Sequence, residues 1–248
     1  MCLQLGRGWT ADNLPLQLGR VAKWQTRWLQ VPVFVRTWGF KSPLAHMVPP
    51  FVASTADVAD SAALGDGTKI WHLAQVRENA NIGANCIIGR GAYIGTGVQL
   101  GDNCKIQNLA LVYEPASLAA GVFVGPGAIL TNDTYPRAVN PDLSLKSASD
   151  WDAVGVTVKE GASIGARAVC VAPVVIGRWA LIGAGSTVIR DVPDFALMVG
   201  SPARRVGWVG HAGVPLVASG TGEFRCPSTG RVYVEVAPEQ LSEQQTAV

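Results

Sequence analysis

Aliphatic side chains recur at every sixth position through most of this chain, and few folds tolerate that period. The run comprises Val52, Val58, Leu64, Ile70, Val76, Ile82, Ile88, Ile94, Leu100, Ile106, Val112, Leu118, Val124 and Leu130, fourteen consecutive hits. It resumes at Val158, Ile164, Cys170, Ile176, Ile182 and Val188. Four positions after each hit of the first run except the last sits a small or β-branched residue, such as Ala56, Thr68, Cys86, Val98 or Ala128. One position after the aliphatic residue Gly is frequent, at 65, 83, 89, 95, 101 and 125 and again at 165, 177 and 183. A helix repeats at 3.6 residues and a simple strand at two. A period of six fits a parallel β-helix of hexapeptides, three short strands making one triangular turn of about 18 residues. The aliphatic residue then points inward, the small residue packs near the corner, and Gly serves the tight turn. Turns stack about 4.8 Å apart. The expected class is therefore all-β: a left-handed parallel β-helix, against the usual crossover hand.

The period breaks once. Leu130 and Val158 are 28 positions apart, which is not a multiple of six. The intervening TNDTYPRAVNPDLSLKSASDW is polar and Pro-bearing. We expect one inserted loop over 131–151 in a β-helix domain over 47–200, then a short C-terminal extension over 201–248. Loops extruded from a rigid scaffold commonly carry function.

Residues 1–46 lack either period. They carry six basic residues against the single acid Asp12, a balance of +5, and four of the eight Trp. The remainder has 14 basic and 17 acidic residues, or −3, so the overall +2 joins two unlike parts. A basic, Trp-bearing arm for membrane or nucleic acid is one reading; a disordered tail is another. The stretch GRVAKWQTRW…TWGFKSPLAH also reads as a translated tRNA gene. Trp38–Pro43 can be encoded TGG GGG TTC AAA TCC CCC, a stem strand, a loop and the complementary strand of a T-arm. We expect 1–46 to be a non-native or disordered leader and the natural start to be Met47.

The body is too apolar and too weakly charged for intrinsic disorder. Its charge gives no basic field for nucleic acid. No run of about 18 apolar residues offers a membrane span. The five Cys form neither a CxxC pair nor a disulfide framework, which fits a reducing cytoplasm and no metal. Residues 18 apart stack, so Cys86 and Cys104 are expected as small core neighbours, Cys170 as an inward residue, and Cys226 in a terminal hairpin.

Several corners depart from Gly. Trp71, Arg77, Gln107 and Tyr113 stand where Gly is common. His72, Arg90 and Asn108 are spaced by 18. They should form a column on one corner, with His72 and Asn108 about 10 Å apart. Glu114 and Asn132 are related in the same way. A polar ladder beside an extruded loop makes a candidate ligand cleft.

These hexads, with IWH at 70–72, KIQN at 105–108, GP at 125–126, TND at 131–133, YPR at 135–137 and VGSPARRVGW at 199–208, resemble the hexapeptide-repeat acyltransferases. Within them the chain is most similar to N-acetyltransferases of nucleotide-linked 3-amino sugars in surface-polysaccharide (lipopolysaccharide, O-antigen) synthesis. The resemblance covers about residues 50–235. It implies a cytoplasmic homotrimer with acetyl-CoA, the co-substrate, bound between subunits and no metal. It places Asn108 at the sugar amine, with His72 as a possible proton acceptor. It assigns Gln107, Glu114, Asn132, Asp133, Tyr135, Arg137 and Lys146 to the nucleotide sugar, the last two suiting a diphosphate. Gly165, Gly183 and Ala184 would let the pantetheine arm approach the backbone. Pro202, Ala203, Arg204 and Arg205 would flank the adenosine phosphates.

The chain departs from its relatives at Gln75, where many carry a second His, and at Leu109 and Pro115. The sugar stays open between a UDP-2-acetamido-3-amino-uronate and a dTDP-3-amino-3,6-dideoxyhexose. An O-acetyltransferase, or one using a longer acyl chain, is an alternative on the same scaffold. A non-catalytic assembly module is a third. The zinc site of a γ-class carbonic anhydrase would need three His ligands, and the body offers only His72 and His211. A chain beginning at Met47 is expected to keep the oligomeric state and activity of the full chain. Loss of either on truncation, or upstream DNA that cannot fold as a tRNA, would restore the basic-arm reading.

Overall fold

The computed structural model describes residues 48–244. The leader over 1–46 lies outside the described residues.

The hexads wind into a parallel β-solenoid with three faces. The first face begins with Phe51–Val52, Lys69–Ile70 and Ile87–Ile88 and runs to Leu181–Ile182 and Ala196–Gly200. The second runs from Asp57–Val58 to Thr187–Val188, and the third from Ala63–Leu64 to Val174–Ile176. Solenoid strands pair in parallel with the strand one turn on, mostly at an offset of 18, as in Phe51 with Lys69 and Ile70 with Ile88. Most strands are only two residues long, because each face must turn again to keep the period.

The inward column is the expected one. Ile70, Ile82, Ile88, Ile94, Ile106, Val112, Val124, Leu130, Ile164 and Ile182 are fully or almost fully buried. The small residues four positions later are buried beside them, as at Ala74, Ala80, Ala110 and Ala128. Cys170 takes an aliphatic place between Leu130 and Val188. Burial pushes its thiol up to about 12. On the edge between the third and first faces, Thr68 Oγ1 donates to Gly83 O at 2.7 Å, Cys86 Sγ to Gly101 O at 3.2 Å, and Cys104 Sγ to Ala119 O at 3.2 Å. Thr and Cys do the same work there: a small buried side chain that satisfies a carbonyl of the next turn.

The corner glycines require a different explanation from the expected one. The left-handed residue of a corner lies three positions after the aliphatic residue, not one: Leu73 (φ 59°), Asn79, Asn85, Asn103 and Leu109 (φ 61°) among others. It is the third residue of a tight turn closed by bonds such as Ala74 N–H to Trp71 O, the geometry of a type II turn. The Gly one position after the aliphatic residue serves stacking. A Cβ on Gly165 would lie 2.5 Å from Ala184 N, and one on Gly125 2.6 Å from Ala166 N.

The insertion appears as a change of offset. Phe123 pairs with Ser163, 40 residues on, which is 22 more than one turn. The loop spans 131–155, four residues beyond Trp151, and holds one short 3-10 helix at Ala148–Asp150. After the last turn, Ala196–Gly200 pairs antiparallel with Ala203–Trp208. A four-stranded antiparallel sheet follows, from Val217–Gly220 to Gln240–Glu243. Cys226 sits in its hairpin between Glu223–Arg225 and Val232–Ala237. His211 and Phe195 hold this sheet to the solenoid. The Trp179 and His211 rings are 4.6 Å apart, Phe195 and Tyr233 5.6 Å, and His211 Nδ1 is 3.0 Å from the Tyr233 hydroxyl. No helix among the described residues is long and apolar enough to cross a membrane. Ile94→Ala is expected to cost about 2–5 kcal/mol, read as a fall in the urea midpoint. A shift near zero would contradict a closely packed solenoid interior.

Candidate active site

His72, Arg90 and Asn108 fall on one edge, between the first and second faces, because each follows an inward Ile by two residues in successive turns. They line an open cleft of about 600 Å³ together with Thr55, Trp71 and Leu73. Trp71 and Leu73 are 43% and 55% exposed, so the polar column has apolar side chains beside it. Sequence spacing had brought His72, Arg90 and Asn108 together. It had not found Thr55, whose Oγ1 lies 2.9 Å from His72 Nδ1. That contact leaves Nε2 as the ring atom available to a ligand. Asn108 Oδ1 accepts the Arg90 backbone N–H at 2.9 Å. Gln107 is the half-buried residue before Asn108 and accepts at its carbonyl from Ala110 N–H.

Arg90 has no carboxylate partner among the described residues, whereas Arg77 is paired with Glu78 at 2.9 Å. The cleft therefore offers Arg90, and not Arg77, to an anionic group.

Glu114 and Asn132 stack as expected, but on another edge, between the second and third faces. The pairing of Leu111–Val112 with Ile129–Leu130 puts Tyr113–Glu114 and Thr131–Asn132 after it. Tyr113 packs on Tyr93 with ring centroids 5.1 Å apart. Glu114 Oε2 is buried there without a hydrogen-bond partner. Burial and the Glu114 carboxylate raise the Tyr93 phenol above its usual range. The inserted loop leaves from this second edge, tied by Ala172 N–H to Thr131 Oγ1 at 2.9 Å and Thr134 Oγ1 to Ala172 O at 3.1 Å. Within it Asp133 Oδ1 accepts Tyr135 N–H, Arg137 donates to Pro136 O, and Lys146 N–H bonds Ala138 O. Tyr135 is 83% exposed. One chain thus carries the His72–Asn108 group and the Glu114, Asn132, Asp133, Tyr135, Arg137 and Lys146 group on different edges.

Gly165, Gly183 and Ala184 continue the His72 edge. Asn108 and Ala184 are three turns apart on it, about 14 Å. Turn stacking already requires Gly165. Open space lies outward, at exposed Ala184 and at Gly185, where an added Cβ would meet nothing within 4 Å. Pro202 and Ala203 follow the same edge in the terminal hairpin, Pro202 exposed and Ala203 buried. The two arginines differ. Arg204 is exposed and bonds Ala203 O. Arg205 lies 4.1 Å over the Trp208 ring and 4.0 Å from Glu235, so it fastens the C-terminal sheet.

Two family models match the solenoid: "Bacterial transferase hexapeptide (six repeats)" over residues 61–96 and "Hexapeptide repeat of succinyl-transferase" over 155–190. Both segments of the solenoid carry hexapeptide repeats. This hexapeptide-repeat chain is 60% identical over 52 residues to a dTDP-3-amino-3,6-dideoxy-alpha-D-galactopyranose 3-N-acetyltransferase of Aneurinibacillus thermoaerophilus, covering 21% of this chain and 27% of that one. It is 34% identical over 176 residues to the bifunctional protein GlmU of Brevibacillus brevis, covering 68% of this chain and 27% of that one. It spans about a quarter of the length of these curated relatives. LpxA, a UDP-N-acetylglucosamine acyltransferase from Bacteroides fragilis, shares the fold, with a TM-score of 0.50 at 16% identity over 64% of this chain and 61% of that one. Arg205→Ala is expected to cost about 1 kcal/mol through its lost stacking on Trp208, and Arg204→Ala close to none. Equal shifts in melting temperature would contradict this division.

Proposed function

We propose that the chain is an acetyl-CoA-dependent N-acetyltransferase acting on the amine of a nucleotide-linked amino sugar. What carries the reading is the cleft that joins His72, Arg90 and Asn108 on the same edge as Ala184 and Pro202. A long, thin acyl carrier lying along that edge would reach from the terminal hairpin to Asn108. The stretch of 60% identity to a dTDP-amino-sugar N-acetyltransferase supports an amine acceptor.

The chemistry asks little of the protein beyond placement. A neutral amine attacks the thioester carbonyl, and holding the two reactants together supplies much of the rate. His72 is the cleft's candidate proton acceptor: when Nδ1–H donates to Thr55 Oγ1, Nε2 carries the free lone pair. The departing thiolate is the alternative acceptor. Arg90, unpaired among the described residues, suits an anionic group of the substrate. The loop residues Asn132, Asp133, Tyr135, Arg137 and Lys146, with Gln107 and Glu114, are assigned to the nucleotide sugar. Since the loop leaves a different edge from the His72 cleft, a homotrimer in which one subunit's loop meets its neighbour's cleft completes the site. Such packing also covers solenoid faces that one chain leaves exposed. The setting is the cytoplasm and surface-polysaccharide synthesis. The His72–Thr55 contact favours one second reading, O-acetylation, because a hydroxyl needs a base more than an amine does.

Thiol release from acetyl-CoA against a panel of UDP- and dTDP-linked 3-amino sugars, with their 3-hydroxy counterparts, tests this. Turnover of an amino sugar alone is expected, by a protein sedimenting as a trimer. Turnover of hydroxy sugars alone would establish the second reading, and turnover of neither would overturn both. His72→Ala is expected to lower kcat less than Asn108→Ala does. Abolished turnover at every pH would instead make the imidazole an obligatory base.

A further inference from the structure

The arrangement at Asn108 occurs three times in the solenoid. At Gly83–Ala84, the Ala84 N–H donates to Asp102 Oδ1 at 2.7 Å. At Gly177–Arg178, the Arg178 N–H donates to Asp194 Oδ1 at 2.7 Å. At Gly89–Arg90, the Arg90 N–H donates to Asn108 Oδ1 at 2.9 Å. In each, the Gly leaves room for the backbone of the next turn: an added Cβ would lie 2.7, 2.4 and 2.6 Å from the backbone nitrogen of Asp102, Asp194 and Asn108. The side chain reaches back and satisfies an N–H that the corner leaves unpaired. An Asp performs this clamp fully, because only an acceptor is needed. Two of the three corners use Asp. The corner that lines the cleft uses Asn.

The difference is one NH2 group. Asn108 Oδ1 is held by the Arg90 N–H and would lie 2.7 Å from a Cβ on Gly89, so the oxygen is turned onto the solenoid. Nδ2 has no protein partner among the described residues. Resting on the acetyl-transfer reading above, we propose that Asn108 donates from Nδ2 to the acyl oxygen, stabilising the oxyanion instead of orienting the sugar amine, and that Gly89 is the positioning residue that lets it do so. The amine nitrogen forms a bond to the thioester carbonyl carbon while the carbonyl π pair moves onto oxygen, where Nδ2 meets it. Collapse reforms the C=O bond, breaks the C–S bond and expels the CoA thiolate. The proton lost by the ammonium ends on that thiolate, directly or through His72. A donor fixed by a backbone clamp before charge develops needs no reorganisation when it does.

The test is Asn108→Asp beside Asn108→Ala. The Asp variant keeps the clamp and the shape, loses the donor and adds a carboxylate charge in the cleft. Its melting temperature should match that of the unmodified protein. Its kcat should fall about 100-fold or more, the usual effect of removing one oxyanion donor, and at least as far as in Asn108→Ala, with KM for the amino sugar within about twofold. An Asp variant within about fivefold of the unmodified kcat, or one whose loss lies in KM, would overturn the donor role and return Asn108 to the amine. For Gly89, the matched control is Gly83→Ala, which meets the same clashes with Asp102 N and Oδ1 away from the cleft. Both Ala variants should lose stability, but only Gly89→Ala should lose kcat. Equal kcat in the two would overturn the positioning role. An unmodified protein that turns over no amino sugar is a different result: it removes the acetyl-transfer reading itself.

Discussion

Each turn of this molecule must close on itself in 18 residues so that its backbone can hydrogen-bond to the turns on either side. Everything else follows from that register. The inward position is aliphatic because it is surrounded on all sides by the same position of other faces and turns. Where the next position is Gly, backbone of the following turn commonly passes within 2.5–2.7 Å of where a Cβ would stand, as at Gly65, Gly101 and Gly165. The left-handed corner residue is separate, two positions later, and is as often Asn as Gly on the early turns: Asn79, Asn85 and Asn103 beside Gly67, Gly91 and Gly97. Asn tolerates that backbone better than most side chains do.

The same register builds the candidate site. Chemistry on a solenoid cannot sit in the core, which is filled by aliphatic residues. It must sit on an edge, where the corner residue between the Gly position and the left-handed position points outward. A column of such residues forms a polar row at no cost to packing. His72, Arg90 and Asn108 are one such row. Glu114 and Asn132 are another, on the next edge, where the 22-residue insertion leaves the solenoid. The proposed trimer would bring two rows from different copies together.

Much of this was legible. The period of six identified the fold, the position of the insertion and the neighbours at 18, so the His72–Asn108 column and the burial of Cys86, Cys104 and Cys170 followed from counting. Counting failed where a side chain contacts something off its own column or where only direction matters. Thr55 reaches His72 from the third position after its own aliphatic residue, 17 residues away. Arg204 and Arg205 are adjacent in sequence, yet one is exposed and bonds only the neighbouring Ala203 carbonyl, and the other is stacked on Trp208 and aimed at Glu235. The role first given to the corner Gly was also wrong: composition shows that Gly is required, not which contact requires it.

The sequence by itself determined the solenoid, because a repeat of six over twenty hexads leaves the backbone no other regular way to bury its aliphatic residues. It also determined which residues share an edge, since register is arithmetic. Only the tertiary structure decided which way each edge residue faces and with what it bonds. Asn108 and Asp102 are equivalent by count, and both clamp a backbone N–H of the preceding turn. One corner lines a cleft, and there the amide's second half has no protein partner among the described residues. That difference depends on what lies outside the column, which no period in the sequence records.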